Sequence, residues 1–398
     1  MRNMLYYFYT RGVVLMTKSQ RDGPAAHERI FSAPGRVEIG GNHTDHQCGR
    51  VLTAAINLET TCEAVANGTD IVSIISDVFG KTEVDLTDLT PHDNEKGSTA
   101  ALIRGVASWF RSNGHSIGGF DGNVSSGVAA GIGLSSSAAF EVLIGNVFGN
   151  LFNAPVSKLD IALAGQFAEN VFFGKPCGLM DQAASSFGGL MMIDFNNPQK
   201  PVVTPICANM DGFAMCVVST GCSHADLTDD YAAIPAEMRA IASRFGKKFL
   251  REVDSGEFYS SLADLRSAGD RALLRAMHFY EENERVAHQF EALKTDDFQC
   301  FLRLVTESGR SSLAYLQNAY SIAEPSKQGL TLALALCERI LHSDGAYRVH
   351  GGGFAGTVLA FVPENLRECF SKQMSDVFGY GCCHFLKINA QGGREVFL

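Results

Sequence analysis

The stretch Gly127-Val-Ala-Ala-Gly-Ile-Gly-Leu-Ser-Ser-Ser-Ala-Ala139 decides how this chain is read. It follows a short β-like run, Phe120 to Ser125, and leads into an apolar, helix-like run, Ala138 to Phe152. Gly131 and Gly133 let the backbone turn tightly and approach a ligand with no Cβ in the way. Ser135, Ser136 and Ser137 fall where the first turn of a helix begins, and serine caps helices well. A helix start presents unpaired N–H groups and a partial positive charge. A glycine loop feeding such a start is an anion site, above all for phosphate. It is not a Walker A loop, because no Gly-Lys-Ser/Thr is present. Composition alone equally allows a strand-to-helix turn that binds nothing.

Working outward, the chain has 398 residues, which on length predicts two domains. Hydrophobic residues make up 46% and charged residues 19%, a globular composition with material for large buried cores. The formal net charge of -10 argues against nucleic acid as a partner, although a nucleotide can still be held by backbone dipoles and a few local cations. The 11 cysteines are scattered, with one adjacent pair, Cys382-Cys383, and no Cys-x-x-Cys. That pattern speaks against a zinc site or a secreted disulfide framework and for the reduced thiols of a cytoplasmic protein. No run reaches the ~18–20 apolar residues of a membrane span. Residues 1–29 read as a poorly structured lead-in, or as the product of an upstream start codon with Met4 or Met16 as the alternative, and not as a signal peptide.

The folded part is expected from Ile30, in a strand that Pro34-Gly35 interrupts. Val51 to Val65 alternates like a strand, and Ile71 to Ser76 and Thr82 to Leu86 continue the β pattern. Ser98 to Asn113 predicts an amphipathic helix, and Leu159 to Phe173 another that carries Glu169 near its end. Asn196 to Pro201 is polar with two prolines and predicts the junction between domains at 30–200 and 201–398. Helices dominate from Ala233 to about His342. A strand, a Gly-rich loop and a second strand follow at Tyr347 to Phe361. The overall class is α+β.

Four clusters ask for a joint explanation: Arg36 to Asp45, Gly131 to Ala139, Cys177-Gly-Leu-Met-Asp-Gln182, and Gly351-Gly-Gly-Phe-Ala-Gly356. Together, in this order, they resemble the GHMP kinases and, within that superfamily, the galactokinases. The resemblance runs from about Phe31 to about Val362. It implies an N-terminal mixed-sheet domain like the second domain of ribosomal protein S5 and a ferredoxin-like C-terminal domain. The activity it implies is ATP-dependent phosphorylation of galactose at the anomeric hydroxyl, in a monomer with Mg²⁺. A kinase for N-acetylgalactosamine or arabinose, or a non-catalytic sugar and ATP sensor, is the alternative.

By the same resemblance, Asp181 is the general base beside the acceptor hydroxyl and Arg36 pairs with it. An adjacent guanidinium lowers a carboxyl pKa, so Asp181 is expected to act partly by orienting the hydroxyl. Gly131, Ile132, Gly133, Leu134, Ser135, Ser136 and Ser137 correspond to the ATP loop, and Ser137 with Glu169 to the metal site. Asn42, His43, Thr44, Asp45, Gly178 and Tyr231 are the implied sugar contacts. Here the chain departs from the pattern. The cluster that usually reads Gly-Glu-His-Thr-Asp-Tyr reads Gly41-Asn-His-Thr-Asp-His46, and Glu38 stands where asparagine is common. An amide at position 42 can donate and accept but carries no charge, which leaves the sugar open.

Overall fold

A computed structural model describes residues 28–129, 131–221, 227–354 and 356–397, so the expected lead-in lies almost wholly outside the described residues. Two sheets organise the chain. The first is built on β1 (Arg29–Gly40) and the 17-residue β2 (Arg50–Ala66), paired antiparallel. β3 (Ile71–Ser76), β4 (Gly80–Asp85) and β5 (Phe120–Ser126) extend it, with β5 on the far half of β2 and β3 parallel to β5. The near half of β2 instead pairs with β6 (Leu190–Asp194), and β6 with β7 (Val202–Ile206). Thus β2 is long enough to serve two partners along one edge.

The interruption expected at Pro34-Gly35 is a register shift inside β1, which continues to Gly40. Proline has no N–H to give a ladder, and a bulge accommodates that without ending the strand. The bulge also leaves Arg36 and Glu38 in regular pairing, against Ala55 and Thr53, so both project to one face.

The second sheet holds β8 (Phe213–Ser219), β9 (Ala346–His350), β10 (Thr357–Pro363) and β11 (Cys383–Leu386), all antiparallel in the order β11-β8-β10-β9. With helices between β8 and β9 and between β10 and β11, this is the ferredoxin-like β-α-β-β-α-β plan. The polar segment at 196–201 is the turn of the β6–β7 hairpin, so the first sheet extends past Pro201. The chain also returns to it at the end, where β12 (Arg394–Val396) pairs with β1.

The helices are α1 (Thr99–Ser112), α2 (Ser136–Leu151), α3 (Lys158–Phe167), α4 (Met180–Phe187), α5 (Thr228–Arg244), α6 (Ser255–Ser260), α7 (Leu262–Leu265), α8 (Asp270–Lys294), α9 (Phe298–Ser311), α10 (Gly329–Leu341) and α11 (Arg367–Phe378). Ser98 caps α1 by accepting from the Ala101 N–H. One apolar core, with Phe31, Phe110, Phe120 and Phe148, fills the space between the first sheet and α1–α3. Another joins the two sheets, bringing Val37, Leu52 and Ile56 against Val217, Leu359 and Phe361. The site described next sits beside that shared core, where β1 meets the α2 and α4 starts and the β9–β10 loop. None of the helices among the described residues is long and apolar enough to cross a membrane.

Candidate active site

Arg36 is the centre of the site. Its Nε and Nη2 donate to Asp181 Oδ1 and Oδ2 at 2.7 and 2.8 Å, and Nη1 donates to Gly133 O at 2.6 Å. One guanidinium therefore ties β1 to the first turn of α4 and to the glycine loop. Its fork matches a carboxylate in a way that a lysine ammonium cannot. Burial pushes the Asp181 carboxyl up, but Arg36, the Ser135 hydroxyl and the Lys175 ammonium outweigh it and hold it below the ordinary aspartate value.

The loop that opened the sequence reading is bent as its glycines allow: Gly131 and Gly133 have φ of +82° and +72°. A Cβ at Gly133 would stand 2.8 Å from Thr357 Oγ1, so the β9–β10 side packs directly on the loop. Ala130 falls outside the described residues. The expected serine cap takes another form. Ser135 precedes α2 with φ +56°, and its hydroxyl does not cap the helix; it donates to Asp181 Oδ2 at 2.6 Å. Among the described residues no side chain caps this helix start.

Ser137 and Glu169 do meet, with Ser137 Oγ donating to Glu169 Oε1 at 3.1 Å. The helix expected through Phe173 changes at Ala168 into a π-helical turn, Ala168–Phe173, which carries Glu169 into the interior with 1% exposure. Such turns recur at functional sites because they re-aim a side chain out of helical register. Two partners went unread in the sequence. Gln182 Nε2 donates to Glu169 Oε2 and to Glu141 Oε2, each at 2.9 Å, and Lys175 Nζ donates to Glu169 Oε1 at 3.2 Å. Burial, then Glu169, pushes the Glu141 carboxyl well above its ordinary value. Among the described residues no three His, Cys, Asp or Glu side chains cluster as a metal site.

The segment Gly41 to His46 divides into two roles. Asn42 is fully buried, and both ends of its amide are taken: Nδ2 donates to Glu38 Oε1 and Gly351 O at 2.8 and 2.6 Å, and Oδ1 accepts from Asn318 Nδ2 at 2.7 Å. Thr44 is buried too, its hydroxyl donating to Gly41 O at 2.8 Å. These two, expected among the sugar contacts, hold the loop's shape. Glu38 lies against the buried Arg348 at 2.6 Å, and its carboxyl is pushed up to about 7, burial outweighing the nearby arginines.

The remaining members pack against one another. His43 donates through Nε2 to Gly352 O at 3.0 Å, which leaves buried Nδ1 an acceptor with no partner among the described residues. Burial, then His46, lowers its pKa to about 3, so the ring is neutral. The His43 and Tyr231 rings lie 5.1 Å apart, and the Tyr231 hydroxyl pairs with His46 Nε2 at 3.0 Å. His46, which the sequence marked only as a departure from the usual cluster, thus packs with these residues. Gly178 crosses so close to Asp45 that a Cβ there would fall 1.8 Å from Oδ2. A Cβ on Gly352 would fall 2.6 Å from the Tyr231 ring. Residues 222–226, just before Tyr231's helix, lie outside the described residues.

A two-sheet α+β fold, a glycine loop leading to a helix start and an arginine-clamped aspartate define a kinase of the GHMP class. Residues 101–189 match the family described as GHMP kinases N terminal domain, and residues 20–65 the galactokinase galactose-binding signature. A galactokinase of Glaesserella parasuis is 32% identical over 363 residues, covering 90% of this chain and 91% of the relative. One from Haemophilus influenzae is 33% identical over 349 residues, covering 86% and 88%. The crystal structure of Lactococcus lactis galactokinase complexed with galactose superposes with a TM-score of 0.80 at 26% identity, covering 93% of this chain and 95% of that one. Methanococcus jannaschii mevalonate kinase shares the fold, with a TM-score of 0.64 at 16% identity over 92% and 99% of the two chains. The chain belongs to the galactokinase family.

Proposed function

We propose that this protein transfers the γ-phosphoryl group of ATP to the anomeric hydroxyl of galactose, giving galactose 1-phosphate and ADP. The observation that carries the reading is the bidentate Arg36–Asp181 pair, set between the Gly131–Ser137 loop and the cluster of His43, Asp45, Gly178 and Tyr231. Phosphoryl transfer needs an aligned acceptor oxygen, charge stabilisation and a seat for the leaving group. The glycine loop and the start of α2, which no side chain among the described residues caps, suit the phosphates. Asp45 is a carboxylate acceptor suited to sugar hydroxyls, and the His43 and Tyr231 rings pack beside it.

In the reaction the acceptor oxygen bonds to the γ-phosphorus while the bond to the bridging oxygen breaks, its electron pair leaving on ADP. The hydroxyl proton passes to Asp181. Because Arg36 holds that carboxyl low, Asp181 is a weak base. It works mainly by aligning the hydroxyl and takes the proton as the oxygen becomes acidic on bonding to phosphorus. Ser137 Oγ and Glu169 Oε1 are hard oxygen donors of the kind Mg²⁺ uses alongside phosphate oxygens and water, so these residues fit that ion. Bound there, Mg²⁺ would neutralise phosphate charge. A sugar panel read by ADP release tests the proposal. Galactose turning over fastest supports it, and turnover of no sugar sinks it.

A further inference from the structure

Lys175 stands in a segment whose backbone is tightly fixed. Gly174, with φ +85°, ends the π-helical turn, the Lys175 N–H donates to Glu169 O at 3.1 Å, and Pro176 follows. A residue before proline is itself confined to extended backbone. The side chain is 61% exposed, yet its ammonium reaches a carboxylate that is almost completely buried, Glu169, at 3.2 Å. The same ammonium is among the charges that keep Asp181 ionised. Gln182, which follows Asp181, also donates to Glu169. Lys175 therefore stands against the Ser137–Glu169 pair, where phosphate oxygens and their counter-ion belong, and its charge is felt at Asp181, where the acceptor hydroxyl belongs. Glu169 accepts from Gln182 and Ser137 as well, so the lysine can leave it without stranding a bare buried carboxylate.

We propose that Lys175 is a further catalytic residue, whose ammonium moves from Glu169 to the γ-phosphoryl oxygens when nucleotide binds and stabilises their charge during transfer. The proposal rests on the phosphotransfer reading above. A lysine performs this task well because its flexible stem carries a compact point charge with three donors. It takes no proton and forms no bond; the balance of the reaction stays as written. In the unliganded protein it neutralises Glu169, and the counter-ion of the phosphates would replace it there.

The test separates this role from the reading beneath it. The magnesium complexes of ADP and of a non-hydrolysable ATP analogue with an imido bridge are titrated calorimetrically into wild type, Lys175→Met and Lys175→Arg. Only the analogue has a γ-phosphoryl group. In Lys175→Met its Kd should rise by about tenfold to a hundredfold, the loss of one charge-assisted contact, while that of ADP stays within about twofold. Lys175→Arg should recover most of the difference. Turnover with galactose should fall in kcat by about a hundredfold in Lys175→Met with little change in sugar KM. Equal effects on both nucleotides, or none, overturn the proposal, as does a kcat within twofold of wild type. Wild-type protein inert toward every sugar would reject the phosphotransfer reading, while the nucleotide comparison would still judge Lys175.

Discussion

Arg36 and Asp181, 145 residues apart in sequence, meet in two parallel hydrogen bonds of 2.7 and 2.8 Å. The pair is mostly buried, and its carboxylate keeps a third donor in Ser135. Replacing Asp181 by Asn keeps the shape and removes the charge. Transfer should fall by about a thousandfold or more, as for loss of a positioned acid–base group. Nucleotide binding, measured by calorimetry, should persist. Wild-type-like turnover in Asp181→Asn would remove this residue from its role.

Gly178 sets a second prediction. A methyl group there would overlap Asp45 Oδ2, at 1.8 Å from an added Cβ, and the carboxylate has to move. Gly178→Ala should raise the sugar KM by about tenfold or more and leave the KM for ATP unchanged. Parallel changes in both constants would show that Asp45 does not face the sugar.

Glu38 and Asn42 are predicted to behave as one unit. Glu38 is the carboxylate paired with the buried Arg348, and the Asn42 amide donates to Glu38. Glu38→Asn leaves a buried guanidinium without its charge partner and should cost about 3–5 kcal/mol. Asn42→Glu brings two carboxylates together and should be comparably destabilising. The double variant keeps one carboxylate and one amide in the contact, so denaturant unfolding should show at least about 2 kcal/mol of favourable coupling. Simple additivity would contradict the pairing.

Glu282 anchors the signature segment from below. It accepts from the Gly41 N–H at 3.0 Å and from Ser308 Oγ at 2.5 Å, and it pairs with Arg285. Burial acts to raise its pKa, but Arg285 and His278 outweigh it and lower the value from 4.5 to about 2. A depressed carboxyl contributes stability in full above its unfolded pKa and loses it as pH falls through the folded one. That shift corresponds to about 3 kcal/mol. Glu282→Gln should therefore be less stable by roughly this amount at neutral pH, and the gap should close between about pH 4.5 and pH 2. A difference independent of pH would refute the linkage.

What could be read in the sequence was the chemistry carried by contiguous residues. The Gly131–Ser137 loop signals itself through glycines before a helix, and its bend follows from those glycines. The hidden part depends on what the fold brings together or turns away. Asn42 and Thr44 sit among residues that face the site, yet the turn points both inward, and only the buried hydrogen bonds reveal it. Ser135 looks like a cap but is rotated into the left-handed region and bonds Asp181. Lys175 and Gln182 acquire meaning only because the π-helical turn aims Glu169 at them. The β7 and β12 strands are too short, at five and three residues, for alternation to stand out. Both complete the first sheet through backbone pairing, to which side-chain pattern contributes little.

Phosphoryl transfer to galactose, with Asp181 beside the acceptor hydroxyl, leaves a product whose phosphorus can be observed directly. The most direct measurement is phosphorus NMR of the product formed from ATP and galactose, with wild type and Asp181→Asn side by side. Galactose 1-phosphate and ADP in equal amounts from the wild type, and neither from the variant, is the predicted result. A sugar phosphate bearing the group on another hydroxyl, ADP formed without phosphorylated sugar, or product from both proteins alike would contradict it.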